Sequence, residues 1–215
     1  MSFKEIRDKE KELSDSFLKM SNEEYDKYMC SKYPDFFKNR NLPMTETCMC
    51  WGFSIGKGWY SVLDKACRYA KLIKKVTGIG VVFEQIKKKY GSARFYNCEE
   101  ISEECKLSEE EQYLWYDIIS NIISDAERKT EHTCAECGEE YYHKHICIGS
   151  SVYDVCDECF VKLHPDRLDQ FNRWKKLSSL NGEFGWVLNY LDESELASVK
   201  EVIEKCKKRL EERNK

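Results

Sequence analysis

Apolar residues return at helical spacing in several stretches of this chain, and the clearest begins at Trp59. Trp59, Val62, Leu63, Ala66, Cys67, Ala70 and Ile73 fall at i, i+3, i+4, i+7, i+8, i+11 and i+14. That is the stripe of an amphipathic helix. Lys65, Arg68, Lys71 and Lys75 occupy its opposite face, and Gly78 stops it. A second long helix follows Ser108-x-x-Glu111, a capping box in which each residue satisfies the other's backbone N–H. Its inward side is predicted to carry Leu114, Trp115, Ile118, Ile119, Ile122 and Ala126. Residues 2–20 have only a thin stripe, Phe3, Ile6, Leu13 and Phe17, on a charged, exposed helix. Ser21-x-x-Glu24 is another capping box and opens a helix bearing Tyr25, Tyr28 and Met29. That helix ends before Pro34, because the residue preceding proline avoids the helical region. Phe36 and Phe37 are predicted to dock on the body, and 38–50 to run as an irregular loop. Near the C-terminus, 166–177 reads as a short helix. Asp192-x-x-Glu195 caps a last one with Leu196, Val199, Ile203, Cys206 and Leu210 inward.

The period changes from helical to alternating in two places. Val81–Ile86 and Ala93–Tyr96 read as strands joined by a turn near Tyr90-Gly91-Ser92, a hairpin over 80–97. Tyr141–Ile148 and Ser151–Val155 read as a second hairpin, followed by a short helix from Asp157 to Leu163 that stops before Pro165. The pattern predicts an α+β protein: a mostly helical body with a small antiparallel β-hairpin and a separate unit around the second hairpin. The expected divisions are 1–130 for the body, 131–165 for that unit, and 166–215 for C-terminal helices packing on the body.

Cysteine spacing gives the 131–165 unit its chemistry. Cys134-Ala-Glu-Cys137 and Cys156-Asp-Glu-Cys159 are two Cys-x-x-Cys turns. Two such turns bring four thiolates to one point, the tetrahedral arrangement of a closed structural zinc site. Gly138 follows the first pair, where the chain must turn back sharply. The expectation is one structural zinc per chain on Cys134, Cys137, Cys156 and Cys159, in a treble-clef-like or zinc-ribbon-like unit. Disulfides or buried thiols are the plain alternatives. The remaining eight of the twelve cysteines are scattered. Cys67 and Cys206 lie on apolar helical faces and read as core residues. Cys48-Met49-Cys50 is a weak second ligand pair, and Cys30, Cys98, Cys105 and Cys147 have no partner at ligand spacing.

Composition narrows the function classes. No apolar run approaches the ~18 residues that span a bilayer. The first residues lack the apolar core of a signal peptide, so the chain is expected in the cytosol. A net charge of -4 and a pI near 5.7 argue against a non-specific DNA binder, which works by neutralising phosphates. Catalytic constellations are scarce. The four histidines, His132, His143, His145 and His164, all lie in or beside the zinc unit. A zinc filled by four thiolates has no open position for catalysis, and the zinc-deaminase pattern is absent. Paired carboxylates such as Glu99-Glu100 and Glu103-Glu104 read as exposed charge. No catalytic residue is expected.

Two surfaces are candidates for binding. The hairpin carries Gln85, Lys87 and Lys89 on one face of its first strand, and Arg94 and Tyr96 on one face of its second. Basic groups beside aromatics suit phosphate pairing and base stacking. The plain alternative is a solvated sheet edge guarded by lysines. The turn Gly56-Lys57-Gly58-Trp59 could cradle a phosphate at a helix N-terminus, although it is not a P-loop. The alternative there is a tight loop with Trp59 anchored in the core.

Several of these segments occur together in order: Tyr33-Pro34-x-x-Phe37, Gly56-Lys57-Gly58-Trp59-Tyr60, Gln85 to Gly91, Arg94-Phe95-Tyr96, Ala126-Glu127 and Thr133-Cys134-x-x-Cys137-Gly138. Over roughly 33–160 this order resembles a family of small proteins encoded by tailed bacteriophages and prophages, for which no activity is assigned. Lys57 stands where that family more usually has an acid, and Ala93 where it has leucine. The resemblance implies a phage accessory protein acting in the cytosol of a bacterial host. The leading expectation is a non-enzymatic, zinc-stabilised protein that binds a host component, either protein or nucleic acid. The alternatives are a binder that sequesters a nucleotide-type small molecule through the glycine turn and the hairpin, and an enzyme acting on nucleic acid.

Overall fold

A computed structural model describes residues 2–141 and 145–178, together with 192, 194, 195, 197–199, 201, 202, 204 and 205. The fold is α+β, predominantly helical, with a small mixed sheet. Its helices are α1 (Phe3–Phe17), α2 (Asn22–Lys32), α3 (Tyr60–Thr77), α4 (Glu109–Thr130), α5 (Asp157–Leu163) and α6 (Leu168–Ser178). Its strands are β1 (Phe53–Ser54), β2 (Ile79–Lys89), β3 (Ser92–Ile101), β4 (Ile146–Ile148) and β5 (Ser151–Tyr153). Among the described residues, no helix is long and apolar enough to cross a membrane.

Local signals set the helix ends. Both expected capping boxes form, at Ser21/Glu24 and Ser108/Glu111, and a third forms at Ser2/Glu5. Glu195 and Asp192 also exchange backbone hydrogen bonds, the N-cap expected for the last helix. Gly78 ends α3 in the left-handed region at φ +78°, where a side chain would be strained. Cys67 is buried on α3 as expected. Cys206 and the apolar positions Leu196, Ile203 and Leu210 lie outside the described residues.

The chain divides into two compact units, Met1–His145 with Asp154–Phe160, and Ile146–Tyr153 with Val161–Lys215. This corrects the expected boundary near residue 130. Both cysteine pairs belong to the unit that contains the helical body, because backbone and side-chain contacts described below tie them into it. The second unit holds the β4–β5 hairpin with α6 packed on β4. There Arg167 donates to the Tyr153 hydroxyl at 2.5 Å, and the Tyr153 ring meets His164 edge-on.

The core of the first unit is rich in aromatic residues. Tyr25 and Tyr60 stack with ring centres 3.6 Å apart, and Phe17 and Phe53 meet Tyr25 edge-on. Phe36 and Phe37 dock on the body as expected, and Phe37 stacks on Phe83 of β2. A buried carboxylate, Asp64, ties α2 to α3: Lys32 reaches it at 2.7 Å, Tyr33 donates to it at 2.9 Å, and Arg68 approaches at 3.2 Å.

The sheet has the order β1–β2–β3, with β1 parallel and β3 antiparallel to the central β2. The outer edge of β3 is closed by α4. Glu127 accepts from the Phe95 N–H at 2.6 Å, and the Thr130 hydroxyl accepts from the Ala93 N–H at 2.8 Å. The orientation of α4 differs from the sequence expectation. Its buried row is Ile119, Ile123, Ala126 and Thr130. Leu114 and Ile118, expected inward, are 57% and 43% exposed. Apolar residues cover more of this helix than one neighbour can bury, so the docking of Glu127 and Thr130 on β3 fixes its rotation.

Candidate metal centre and basic hairpin face

The four expected ligands converge. The sulfurs of Cys134, Cys137, Cys156 and Cys159 all lie within 4.8 Å of one another, and Cys137 and Cys156 are 3.7 Å apart. A tetrahedral thiolate site with ~2.3 Å metal–sulfur bonds has sulfurs ~3.8 Å apart, so the donor set fits a metal held by four thiolates. Local structure explains the convergence. The first pair sits on a knuckle in which Gly138 N–H donates to Cys134 O at 2.9 Å, with Gly138 at φ +74°. The second pair frames the start of α5, where Phe160 N–H donates to Cys156 O at 2.9 Å. Cys156 N–H donates to the Cys134 sulfur at 3.2 Å, linking the two turns.

The electrostatics suit a cation. Burial raises the Cys137 thiol to about 12 and Cys159 still further. At Cys134 burial also acts to raise the thiol, but N–H groups of Cys137, Cys156 and Glu136 outweigh it and bring it below the ordinary thiol range. Clustered thiols that resist ionisation on their own become thiolates when a bound dication compensates them. Cys48 and Cys50 flank the buried Met49 and join no cluster among the described residues. His145 is not a ligand; its ring nitrogen lies 3.2 Å from the Tyr141 hydroxyl. His143 lies outside the described residues.

The glycine turn at 56–59 is the seat of this knuckle, not a ligand cradle. Gly58 N–H donates to Ala135 O at 2.9 Å, and the Trp59 indole donates to Thr133 O at 2.6 Å. A Cβ at Gly56 would lie 2.2 Å from Ala135 O, and one at Gly58 2.1 Å from Cys134 O. Lys57 pairs with Glu136 at 2.6 Å, and Trp59 is fully buried. Lys57 and Trp59 therefore leave the set of candidate binding residues. The donor and the space that a phosphate would use are filled by the knuckle's own backbone.

The hairpin behaves differently. Its register sets Gln85 opposite Tyr96 and Lys87 opposite Arg94, so the two expected faces become a single one, carrying Gln85, Lys87, Lys89, Arg94 and Tyr96. The Lys87 ammonium lies 5.1 Å from the Tyr96 ring centre, and Lys89 lies 5.3 Å from that of Tyr90. Arg94 is braced by the Ser92 hydroxyl at 2.7 Å and Ala93 O at 2.9 Å. These lysines stand on a face of the central strand, and the outer edge of β3 is occupied by α4. Lys88 points the other way, into an ion pair with the buried Asp154, so it does not add to the basic face.

The sequence reading missed Tyr90. It sits at the hairpin tip, 81% exposed, at φ +51° beside Gly91 at φ +84°. Two successive left-handed residues make the two-residue turn that suits hairpin twist, and a bulky residue there is unusual. The signal available was a tyrosine directly before glycine at the end of a lysine run. Gly91 in turn packs closely on the His145 ring.

No protein-family model, curated protein or solved structure matches the chain.

Proposed function

We propose that this chain is a non-enzymatic binding protein, stabilised by one structural zinc, that recognises an anionic partner through the outer face of its β2–β3 hairpin. Zinc is the metal that suits four thiolates closed into a tetrahedron, where it acts as a cross-link between distant turns. The order of knuckle, hairpin and helix supports a treble-clef-like unit rather than a plain ribbon. The single observation that carries the binding reading is the register, which gathers Lys87, Lys89, Arg94, Gln85 and Tyr96 beside the exposed Tyr90. Cations interleaved with exposed aromatic rings suit phosphates and stacked bases, so single-stranded nucleic acid is the favoured partner. Set in the phage-like context of the sequence motifs, this would be an accessory factor engaging a nucleic acid of the bacterial host.

Two measurements test the reading. Elemental analysis should give one zinc per chain, and Cys159→Ser should release it. Fluorescence anisotropy with a labelled single-stranded oligonucleotide should show binding that weakens steeply with salt. Each lost phosphate contact should lower the salt slope by about one. Lys87→Glu with Arg94→Glu should abolish the signal while leaving the fold intact. An oligonucleotide that binds equally well to this variant, or not at all to the wild type at low salt, would overturn the nucleic-acid reading. In the second case a protein partner retained by the wild type and lost by the variant would transfer the same face to a host protein.

A further inference from the structure

One face of the helical body is apolar and has no partner among the described residues. α3 exposes Tyr69, Leu72 and Val76, at 46%, 61% and 79%, and α4 exposes Leu114 and Ile118. The two helices run antiparallel. Val62 and Ala66 near the start of α3 share a cavity of about 410 Å³ with Ile122 and Ala126 near the end of α4. The end of α3 in turn lies beside the residues leading into α4. Leu72 and Val76 are therefore level with Ile118 and Leu114, and they continue the apolar lining of that cavity along the helix pair. Five large apolar side chains left exposed together on neighbouring helices are the kind of surface that marks an interaction site.

The charges on the two helices say what covers it. Most of the positive charge on α3 is paired within the copy: Lys65 and Arg68 with Glu10 of α1, Arg68 also with the buried Asp64, and Lys74 with Asp35, while Lys71 donates to Lys32 O, so among the described residues of α3 Lys75 is the cation left to meet a second copy. On α4, Glu111 caps the helix, Asp125 pairs with Arg128 and Glu127 accepts from the Phe95 N–H, whereas Asp117 stands exposed midway along the helix. Two copies stacked face to face can be related by a two-fold axis across the helices or along them. An axis across the helices sets α3 on α3 and leaves Lys75 without a carboxylate opposite it. An axis along them keeps each residue at its own level, sets α3 of one copy antiparallel beneath α4 of the other, and brings Lys75 to the side of Asp117. We infer that this face is a self-association surface, and that two copies pair through α3 and α4 about an axis parallel to the helices. Leu72 and Val76 then meet Ile118 and Leu114 of the second copy. Lys75, on the flank of α3 away from α4, comes level with Asp117 on the outward flank of the other copy's α4. Both are exposed, and neither has an ion-pair partner among the described residues. A self-complementary patch of this kind closes as a two-fold dimer and leaves no open edge for further growth, and opposite charge at its rim fixes the orientation. The hairpin face belongs to other elements, so the pairing does not depend on the function proposed above.

The test is the mass of the full chain by sedimentation equilibrium over a range of concentrations. The wild type is expected as a monomer–dimer equilibrium. Leu72→Glu with Ile118→Glu should weaken it by roughly a hundredfold, with helicity by circular dichroism retained because both side chains are already exposed in the single copy. Lys75→Glu and Asp117→Lys should each weaken it by about tenfold, and the double swap should restore it. This swap tests the arrangement even if the apolar variant misfolds. A wild type that stays monomeric at every soluble concentration, a dimer indifferent to these changes, or a double swap no better than either single variant overturns the inference.

Discussion

Two turns of this protein have nearly the same local chemistry and opposite fates. Gly56-Lys57-Gly58-Trp59 and Lys89-Tyr90-Gly91 each place a lysine and an aromatic residue beside glycine. At the first turn the cysteine knuckle arrives from more than seventy residues away. It takes the Gly58 N–H, binds the Trp59 indole through Thr133, and pairs Lys57 with Glu136. At the second, Tyr90 and Lys89 stay in solvent and only Gly91 is covered, by His145. Glycine served close backbone approach in one place and a left-handed turn in the other. The lesson is that a basic glycine turn becomes a binding loop or a structural seat according to which distant backbone reaches it.

The largest effect should come from removing the metal. Because the knuckle is seated on the body, a strong chelator is expected to abolish cooperative melting of the whole first unit. The separate unit expected from sequence would instead leave the helical body intact. Circular dichroism melting with and without chelator decides: a body that still melts cooperatively at its former temperature would make the knuckle an appendage and break the comparison.

Next in size is the contrast between the glycines. Gly58→Ala drives a Cβ into the Cys134 carbonyl, and should cost about 3 kcal/mol or more. Gly91→Ala meets a movable His145 ring and a strained φ, and should cost about 1 kcal/mol. Urea denaturation of the two variants measures both. Equal losses would mean that the first turn is no tighter a seat than the second.

Neighbouring lysines sharpen the same point on the hairpin. Lys88→Ala leaves the buried Asp154 without its cation and should cost about 2 kcal/mol, less than a fully buried pair because Lys88 is half exposed. Lys87→Ala should leave the melting temperature within a degree or so. A stability loss at Lys87 as large as that at Lys88 would make the basic face structural.

The smallest effect belongs to purely local devices. Ser108→Ala should cost about 1 kcal/mol by removing a cap. Its partner Glu111, and Glu24 in the equivalent box, are held below the usual carboxylate range by N–H and hydroxyl donors of Ser108 and Ser21. Their contribution is therefore present above the ordinary glutamate range and fades as pH falls through their lowered values. Melting curves from pH 6 downward should show the gap between Ser108→Ala and the wild type narrowing without closing, because the Glu111 N–H loses its Ser108 acceptor at every pH, and a gap unchanged with pH would remove the carboxylate from the cap.

Sequence alone determined whatever depends on residues within a few positions of each other. The capping boxes, the stop at Gly78, the β2–β3 hairpin and the two ligand turns are set by neighbours along the chain. For the same reason the four metal-binding cysteines were legible from spacing, and so was the alternation that puts Lys87 and Lys89 on one face. Tertiary structure decided everything that required knowing what arrives from afar. Lys88 looks identical to its neighbours until Asp154, 66 residues on, is placed beneath it. Leu114 and Ile118 look as inward as Ile119 until Glu127 and Thr130 dock on β3 and turn α4. The boundary near 130 looked natural until the knuckle locked into Gly56 and Gly58. Periodicity and spacing record what a residue is able to bury or bind. The choice among those options is made by packing and by the pairing of buried polar groups, which are properties of the assembled chain.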